Sequence, residues 1–288
     1  MLYPHPFRRL RRGQIELCSS LFLAAQRFRW LSRLLSFIGQ SRMLTAVFVG
    51  YRRPFPSLAA ATAWVNRHDS LSHEHPEAVR RHMLFADKAR ASDYPALYHL
   101  QKIAPGLRTV IDIGGNAGNL FYCYAAYLDL SPSLRWTVIE LPQVAAAGRQ
   151  IALQRKETRL HFAEDPNPAT SFDLAVFSGS LHYFEALPSW LFENPQHLPK
   201  YVLINRSPMV DDHAVAAVQR TPSYYAPAQL LCRPSLIRQL EGLNYQLLDD
   251  WPVEELNLRF PLHPVSSAEH YTGMFFRLRS VADDKIPT

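Results

Sequence analysis

Arg108-Thr109-Val110-Ile111-Asp112-Ile113-Gly114-Gly115-Asn116-Ala117-Gly118 decides the fold. A short β-branched apolar run ending in paired glycines reads as a strand buried on both faces, and the apolar positions after it read as a helix over 117–129. Glycine is scarce, with 11 residues in 288, so three within five positions mark a turn that needs their backbone freedom. A glycine turn between a strand and a helix N-terminus exposes backbone N–H groups suited to a ligand carboxylate. The dinucleotide pattern G-x-G-x-x-G fails, because Asn116 and Asn119 occupy its second and third glycine positions. No Gly-Lys-Ser/Thr follows either, so the phosphate-loop pattern fails. The remaining reading is an amino-acid–nucleoside ligand, with Asp112 placed to accept from its amino group.

Working outward, strand and helix signals alternate. Strands are expected at 136–140, 160–162, 173–177, 201–205, 245–248 and 273–278, with helices at 143–155, 187–192 and 234–242. That alternation predicts a Rossmann-like, seven-stranded, mainly parallel sheet flanked by helices. Residues 1–105 read as a helical N-terminal lid with no strand signal, and 106–288 as the ligand-binding catalytic domain. In the first part, Leu17, Leu21, Ala24, Phe28, Leu31, Leu35 and Ile38 give an amphipathic helix over 14–38, and Gly39 ends it. Further helices fit 41–48, 58–64, 76–90 and 94–103.

Carboxyl ends of parallel strands line the crevice of such sheets. Glu140, read as the last residue of its strand, is placed to accept both ribose hydroxyls. Leu141 or Phe162 is placed to cover the adenine ring, and Asp165 to take its amino group. Ser178, Ser180, His182 and Tyr183 follow the fourth strand and face the reaction chamber. Of these, Ser180, His182 and Tyr183 are the catalytic candidates, the last two as proton acceptors or, for Tyr183, as a ring against a cation. Gly114, Gly115, Asn116, Gly118 and Ser178 complete the expected ligand contacts. Gly179-Ser180 does not complete a nucleophile elbow, so hydrolase chemistry is disfavoured. His68, His73, His75 and His82 cluster without carboxylate or Cys ligand spacing, so no metal is expected. Tyr224-Tyr225, after Thr221-Pro222-Ser223, read as loop or packed aromatics.

These motifs resemble those of class I S-adenosylmethionine (SAM)-dependent methyltransferases. They carry a closer likeness to a bacterial family grouped with the methyltransferases by sequence alone. The likeness rests on Asp112-Ile-Gly114-Gly115 with Gly118, Trp136-Thr-Val-Ile-Glu140, Phe177-Ser178-Gly179-Ser180-Leu-His-Tyr183, Leu203-Ile-Asn205-Arg206-Ser-Pro208, and Gln219-Arg-Thr-Pro222 with Tyr225. It runs from about Gly50 to Phe276 and departs from the usual loop at Asn116. The resemblance implies SAM as co-substrate or sole substrate. It also implies methyl transfer to a small, free or carrier-bound acceptor of secondary or polysaccharide metabolism. Some relatives instead cyclise SAM to azetidine-2-carboxylate and methylthioadenosine. A non-catalytic SAM-binding or membrane-associated interaction protein is the alternative from another class.

Charge is uneven. Residues 1–53 hold ten Arg against one Glu, and the rest holds 21 basic and 24 acidic residues. The high overall pI therefore does not point to nucleic acid. The basic helix suits a solvated face, with membrane contact as the weaker option. Cys18, Cys123 and Cys232 form no disulfide or zinc spacing, and a cytoplasmic setting is expected.

Overall fold

A computed structural model describes residues 50–51, 54–68, 83, 86, 88–165, 171–220, 225–256 and 271–279. The helices expected at 14–38 and 41–48, most of the one at 76–90, and His73, His75, His82 and Tyr224 lie outside the described residues. In chain order the elements are β1 (Gly50–Tyr51), α1 (Leu58–His68), α2 (Asp93–Ile103), β2 (Thr109–Ile113), α3 (Asn119–Ala125), β3 (Arg135–Ile139), α4 (Pro142–Gln154), β4 (Leu160–Ala163) and β5 (Leu174–Ser178). There follow α5 (Ser189–Phe192), β6 (Tyr201–Val210), β7 (Val215–Arg220), β8 (Tyr225–Cys232), α6 (Arg233–Gly242), β9 (Tyr245–Val253) and β10 (Tyr271–Leu278).

The central sheet runs β9-β10-β6-β5-β2-β3-β4. Strands β2 to β6 pair in parallel, and β10 is antiparallel to both β6 and β9. Chain order therefore reverses between β2 and β5, which opens a crevice at their carboxyl ends. Strand alternation divides the core. Val110, Trp136, Val138, Leu174 and Leu203 pack against Phe121 and Tyr124 of α3 and Leu97 and Leu100 of α2. Ile111, Ile113, Ala175, Val202 and Ile204 pack against Leu191 and Phe192 of α5 and Leu236 and Leu240 of α6.

The sheet has ten strands rather than the seven expected. β6 runs on past residue 205 to Val210, where Met209 and Val210 pair in parallel with Leu231 and Cys232 of β8. β8 pairs antiparallel with β7, and β7 with β1. Tyr225 thus opens a strand rather than lying in a loop. The reading of residues 1–105 as free of strands is corrected by β1 and by the bridge of Phe55 to Ala216. Helix α1 lays Ala61 and Val65 on Val218 of this three-stranded extension.

Two boundaries also move. α3 begins at Asn119, not 117, because Asn116 (φ 52°) and Gly118 (φ 82°) are left-handed and cannot enter a right-handed helix. β3 ends at Ile139, so Glu140 stands just beyond the strand. Pro142 then opens α4, where its missing N–H costs nothing.

Gly273 of β10 faces Trp251 of β9, and a Cβ there would overlap the indole ring. That indole donates to Asn205 Oδ1 at 3.3 Å and cannot swing away without losing the bond. Gly273→Ala is expected to destabilise the chain by about 1–3 kcal/mol in urea unfolding. Unchanged stability would show that Trp251 repacks freely.

Candidate functional site

Asp112 lies in β2 with no solvent exposure. Its Oδ2 accepts from the Trp136 indole N–H at 3.2 Å, and its buried Oδ1 has no hydrogen-bond partner among the described residues. Burial pushes its pKa up to about 7; the Trp136 bond opposes that shift and the nearby Glu140 charge adds to it. The turn after it is closed from both sides. A Cβ on Gly114 (φ 69°) would overlap Ser180, and one on Gly115 would overlap the Asp112 carboxylate. Gly118 is shut in by Leu160 and Phe162.

Glu140 turns back onto this loop. Its Oε1 accepts from Asn116 N–H at 3.1 Å and its Oε2 from Leu141 N–H at 2.8 Å. The Asn116 side chain accepts from Ala117 N–H at 2.9 Å, which supports its left-handed backbone. Leu141, beside Glu140, is 42% exposed, large for an apolar side chain. Phe162 is committed elsewhere, wedged between Gly118 of the loop and Gly148 of α4. Asp165 is exposed beyond β4, and the neighbouring Glu164 pairs with Arg149 at 3.4 Å.

On the other side of the crevice, β5 ends at Ser178, opposite Asn205 of β6. The buried Ser180 donates its hydroxyl to the carbonyl of Ile113. It therefore ties the 178–183 segment to the glycine loop. His182 is buried, its ring 4.1 Å from that of Tyr183. The Tyr183 phenol donates to Gln219 Oε1 at 2.6 Å.

Sequence reasoning missed the polar layer next to Ser178. Arg206 (φ 52°) is buried, donates to Ser178 Oγ at 2.7 Å and meets Asp93 Oδ1 at 2.5 Å. Tyr124 O–H donates to the same Asp93 oxygen at 3.0 Å, and Arg90 N–H donates to the other at 2.8 Å. Burial pushes the Asp93 carboxyl up, but the Arg206 guanidinium and the Arg90 N–H and charge hold it below its ordinary value overall. The signal available was Asn205-Arg206, polar residues that break an apolar run at a strand's carboxyl end. Gln219, which accepts the Tyr183 phenol proton, lay within a quoted motif, whereas Tyr51 and Tyr271, bonded to each other, carried no such signal.

The arrangement joins Asp112, the glycine loop, Glu140 and Leu141 along one wall, and Ser178, Ser180, His182 and Tyr183 along the other. It offers one fully buried carboxylate, a second carboxylate at the loop, and phenol and imidazole groups opposite. Among the described residues no group of three or more His, Cys, Asp or Glu could hold a metal ion. No helix among them is long and apolar enough to cross a membrane.

No family model matches the chain, and no curated protein matches it. Solved structures do resemble it. One is the Burkholderia thailandensis 1,6-didemethyltoxoflavin-N1-methyltransferase with 1,6-didemethyltoxoflavin and S-adenosylhomocysteine bound, at 20% identity over 79% of this chain and 93% of that one, TM-score 0.48. Another is a SAM-dependent methyltransferase from Clostridium acetobutylicum, at 10% identity over 67% of this chain and 93% of that one, TM-score 0.43. A mitomycin 7-O-methyltransferase is similar at 19% identity over 77% of this chain and 66% of that one, TM-score 0.43.

Proposed function

We propose that the crevice binds SAM and that the chain transfers its methyl group to a small acceptor. Asp112 carries this reading. It is a wholly buried carboxylate with one oxygen lacking a hydrogen-bond partner among the described residues, beside a left-handed glycine loop, where strand order reverses. An acid so placed gains from a cation, because its ionised form is otherwise penalised by burial. SAM brings two positive centres, the ammonium and the sulfonium.

The remaining residues fit. Glu140, whose oxygens accept the backbone N–H groups of Asn116 and Leu141, stands beside the loop where the ribose hydroxyls are proposed to lie. The exposed Leu141 suits the adenine face and Asp165 its amino group. Of the residues opposite them, Ser180 supports the loop through its bond to Ile113, while Ser178, His182 and Tyr183 are assigned to the acceptor side. In methyl transfer the acceptor atom attacks the methyl carbon in line with sulfur. The protein's part is to align the two and exclude water, with His182 taking up the acceptor's proton; Tyr183, whose phenol proton goes to Gln219, lines the site. Residues 1–105 are proposed as the lid over this site, and the acceptor as a free or carrier-bound small molecule.

Mass spectrometry of the purified chain incubated with SAM alone is expected to recover SAM intact. Methylthioadenosine with a four-carbon cyclic amino acid would overturn methyl transfer in favour of cyclisation. Asp112→Ala and Glu140→Ala are each expected to weaken SAM binding about a hundredfold or more in calorimetry while the chain stays folded. Wild-type affinity in both would remove the assignment.

The raised Asp112 pKa adds a pH signature. Its folded value is about 7, against roughly 3.9 unfolded. The stability contributed by the protonated group is thus full below about pH 4 and lost as pH rises through about 7. A cationic ligand prefers the ionised form, so SAM affinity is expected to rise from pH 5.5 to 7, by at most about tenfold per unit, then level off. Asp112→Asn should flatten that slope. An equally steep slope in the variant would assign the proton to another group.

A further inference from the structure

β1 and β7 belong to the extension rather than to the seven-strand central sheet, yet they bring side chains to Tyr183 and Tyr271. Tyr51 of β1 stands opposite Gln219 of β7 in register. Gln219 Oε1 accepts the Tyr183 phenol proton at 2.6 Å. The Gln219 side chain also bonds Tyr271 of β10, whose hydroxyl lies 2.8 Å from that of Tyr51. Tyr51 and Tyr271 are buried, whereas Tyr183 is half-buried. Tyr183 lies three residues beyond Ser180, which is packed on Gly114, so the Leu181–Tyr183 turn follows directly from the loop contact.

A phenol has one proton. Once it is given to Gln219, whatever else the Tyr183 oxygen meets, it meets as an acceptor. A carboxamide oxygen cannot reverse that bond, whereas a hydroxyl at position 219 could. The side chain at 219 therefore sets the hydrogen-bond polarity of Tyr183.

We propose that Gln219 is a positioning residue: by taking the phenol proton it makes Tyr183 an acceptor for the N–H donors of a cationic amino-acid ligand. This rests on the reading of the crevice as a SAM site, where the α-ammonium supplies those donors. Asp112 and Tyr183 then share the three N–H groups of one ammonium from opposite walls. The extension thereby contributes to ligand recognition without touching the ligand.

The test compares SAM with methylthioadenosine, which lacks the amino-acid tail, by calorimetry on the full chain. The variants are Gln219→Leu, Gln219→Glu, Tyr183→Phe and the Leu/Phe double. Gln219→Leu is expected to weaken SAM about tenfold and methylthioadenosine less than about twofold. Gln219→Glu, which keeps an accepting oxygen, should stay within about threefold of wild type for SAM. In the Tyr183→Phe background, Gln219→Leu should add nothing, because it acts only through the phenol. Should the Leu variant not fold, Gln219→Met carries the same comparison. An equal loss for both ligands, or the same loss with and without the Tyr183 hydroxyl, overturns the proposal and leaves the SAM reading standing. A wild-type chain that does not bind SAM overturns that reading and this proposal with it.

Discussion

The crevice depends on one close approach, that of Gly114 to Ser180. β2 and β5 are hydrogen-bonded neighbours whose chains leave the sheet in opposite directions, and such a divergence leaves strand-end carbonyls without ladder partners. Ser180 answers this by donating its hydroxyl to the Ile113 carbonyl. The bond requires the Ser180 side chain to stand where a residue at 114 would carry its own Cβ. With that contact made, the chain must pass through the left-handed region at Gly114, Asn116 and Gly118. This delays the start of α3 and lays the Gly115 backbone against the Asp112 carboxylate. The three glycines answer three different neighbours: Ser180, Asp112 and the Leu160–Phe162 pair.

A second constraint lies over the first. Asn205 donates to the Ser92 carbonyl at 2.9 Å and accepts from Arg206 N–H at 3.0 Å and from the Trp251 indole. Arg206 adds its ion pair with Asp93. Both residues therefore fix the N-terminus of α2 against the carboxyl half of β6. A buried ion pair is weak evidence for stability, since desolvation offsets its attraction. Its value here lies in geometry, because Asp93 is held by groups from β6, from α3 and from the segment just before α2. The left-handed Arg206 is strained for a side chain of its size, and strain of that kind concentrates at functional crevices.

The central sheet was legible because its strands are buried on both faces and read as unbroken apolar runs. Asp112, Gly114, Gly115, Gly118 and Glu140 followed from their places at the ends of those runs. The extension was not legible. The second half of β6, Asn205-Arg206-Ser207-Pro208, is polar and holds a proline, which reads as loop. It continues as strand because β10 and then β8 pair beside it. In β7, Val215-Ala216-Ala217-Val218 is too short and alanine-rich to mark a strand, and in β8 Pro227 argues against one. The partners of Asp112 and Asp93 were hidden for a different reason. Trp136 and Arg206 are distant in sequence, and only the parallel register and the β6 backbone bring them within reach.

The two walls differ in what they can do for charge. Arg206 already has Asp93 as its anion. The wall of Tyr51, Tyr183, Tyr271 and Gln219 contributes phenols and an amide, and burial pushes Tyr51 well above its ordinary pKa and Tyr271 up to about 12. Near neutral pH Tyr51 and Tyr271 are uncharged, so any anionic character in the crevice comes from Asp112 and Glu140. These two carboxylates oppose each other's ionisation, and Asp112 gives way because it is the more deeply buried. A fold with no cation to place there would gain by replacing Asp112 with an apolar residue, as β2 does at Val110 on the same face. Retaining an acid whose ionised form the apo protein disfavours makes sense when a bound cation reverses that balance.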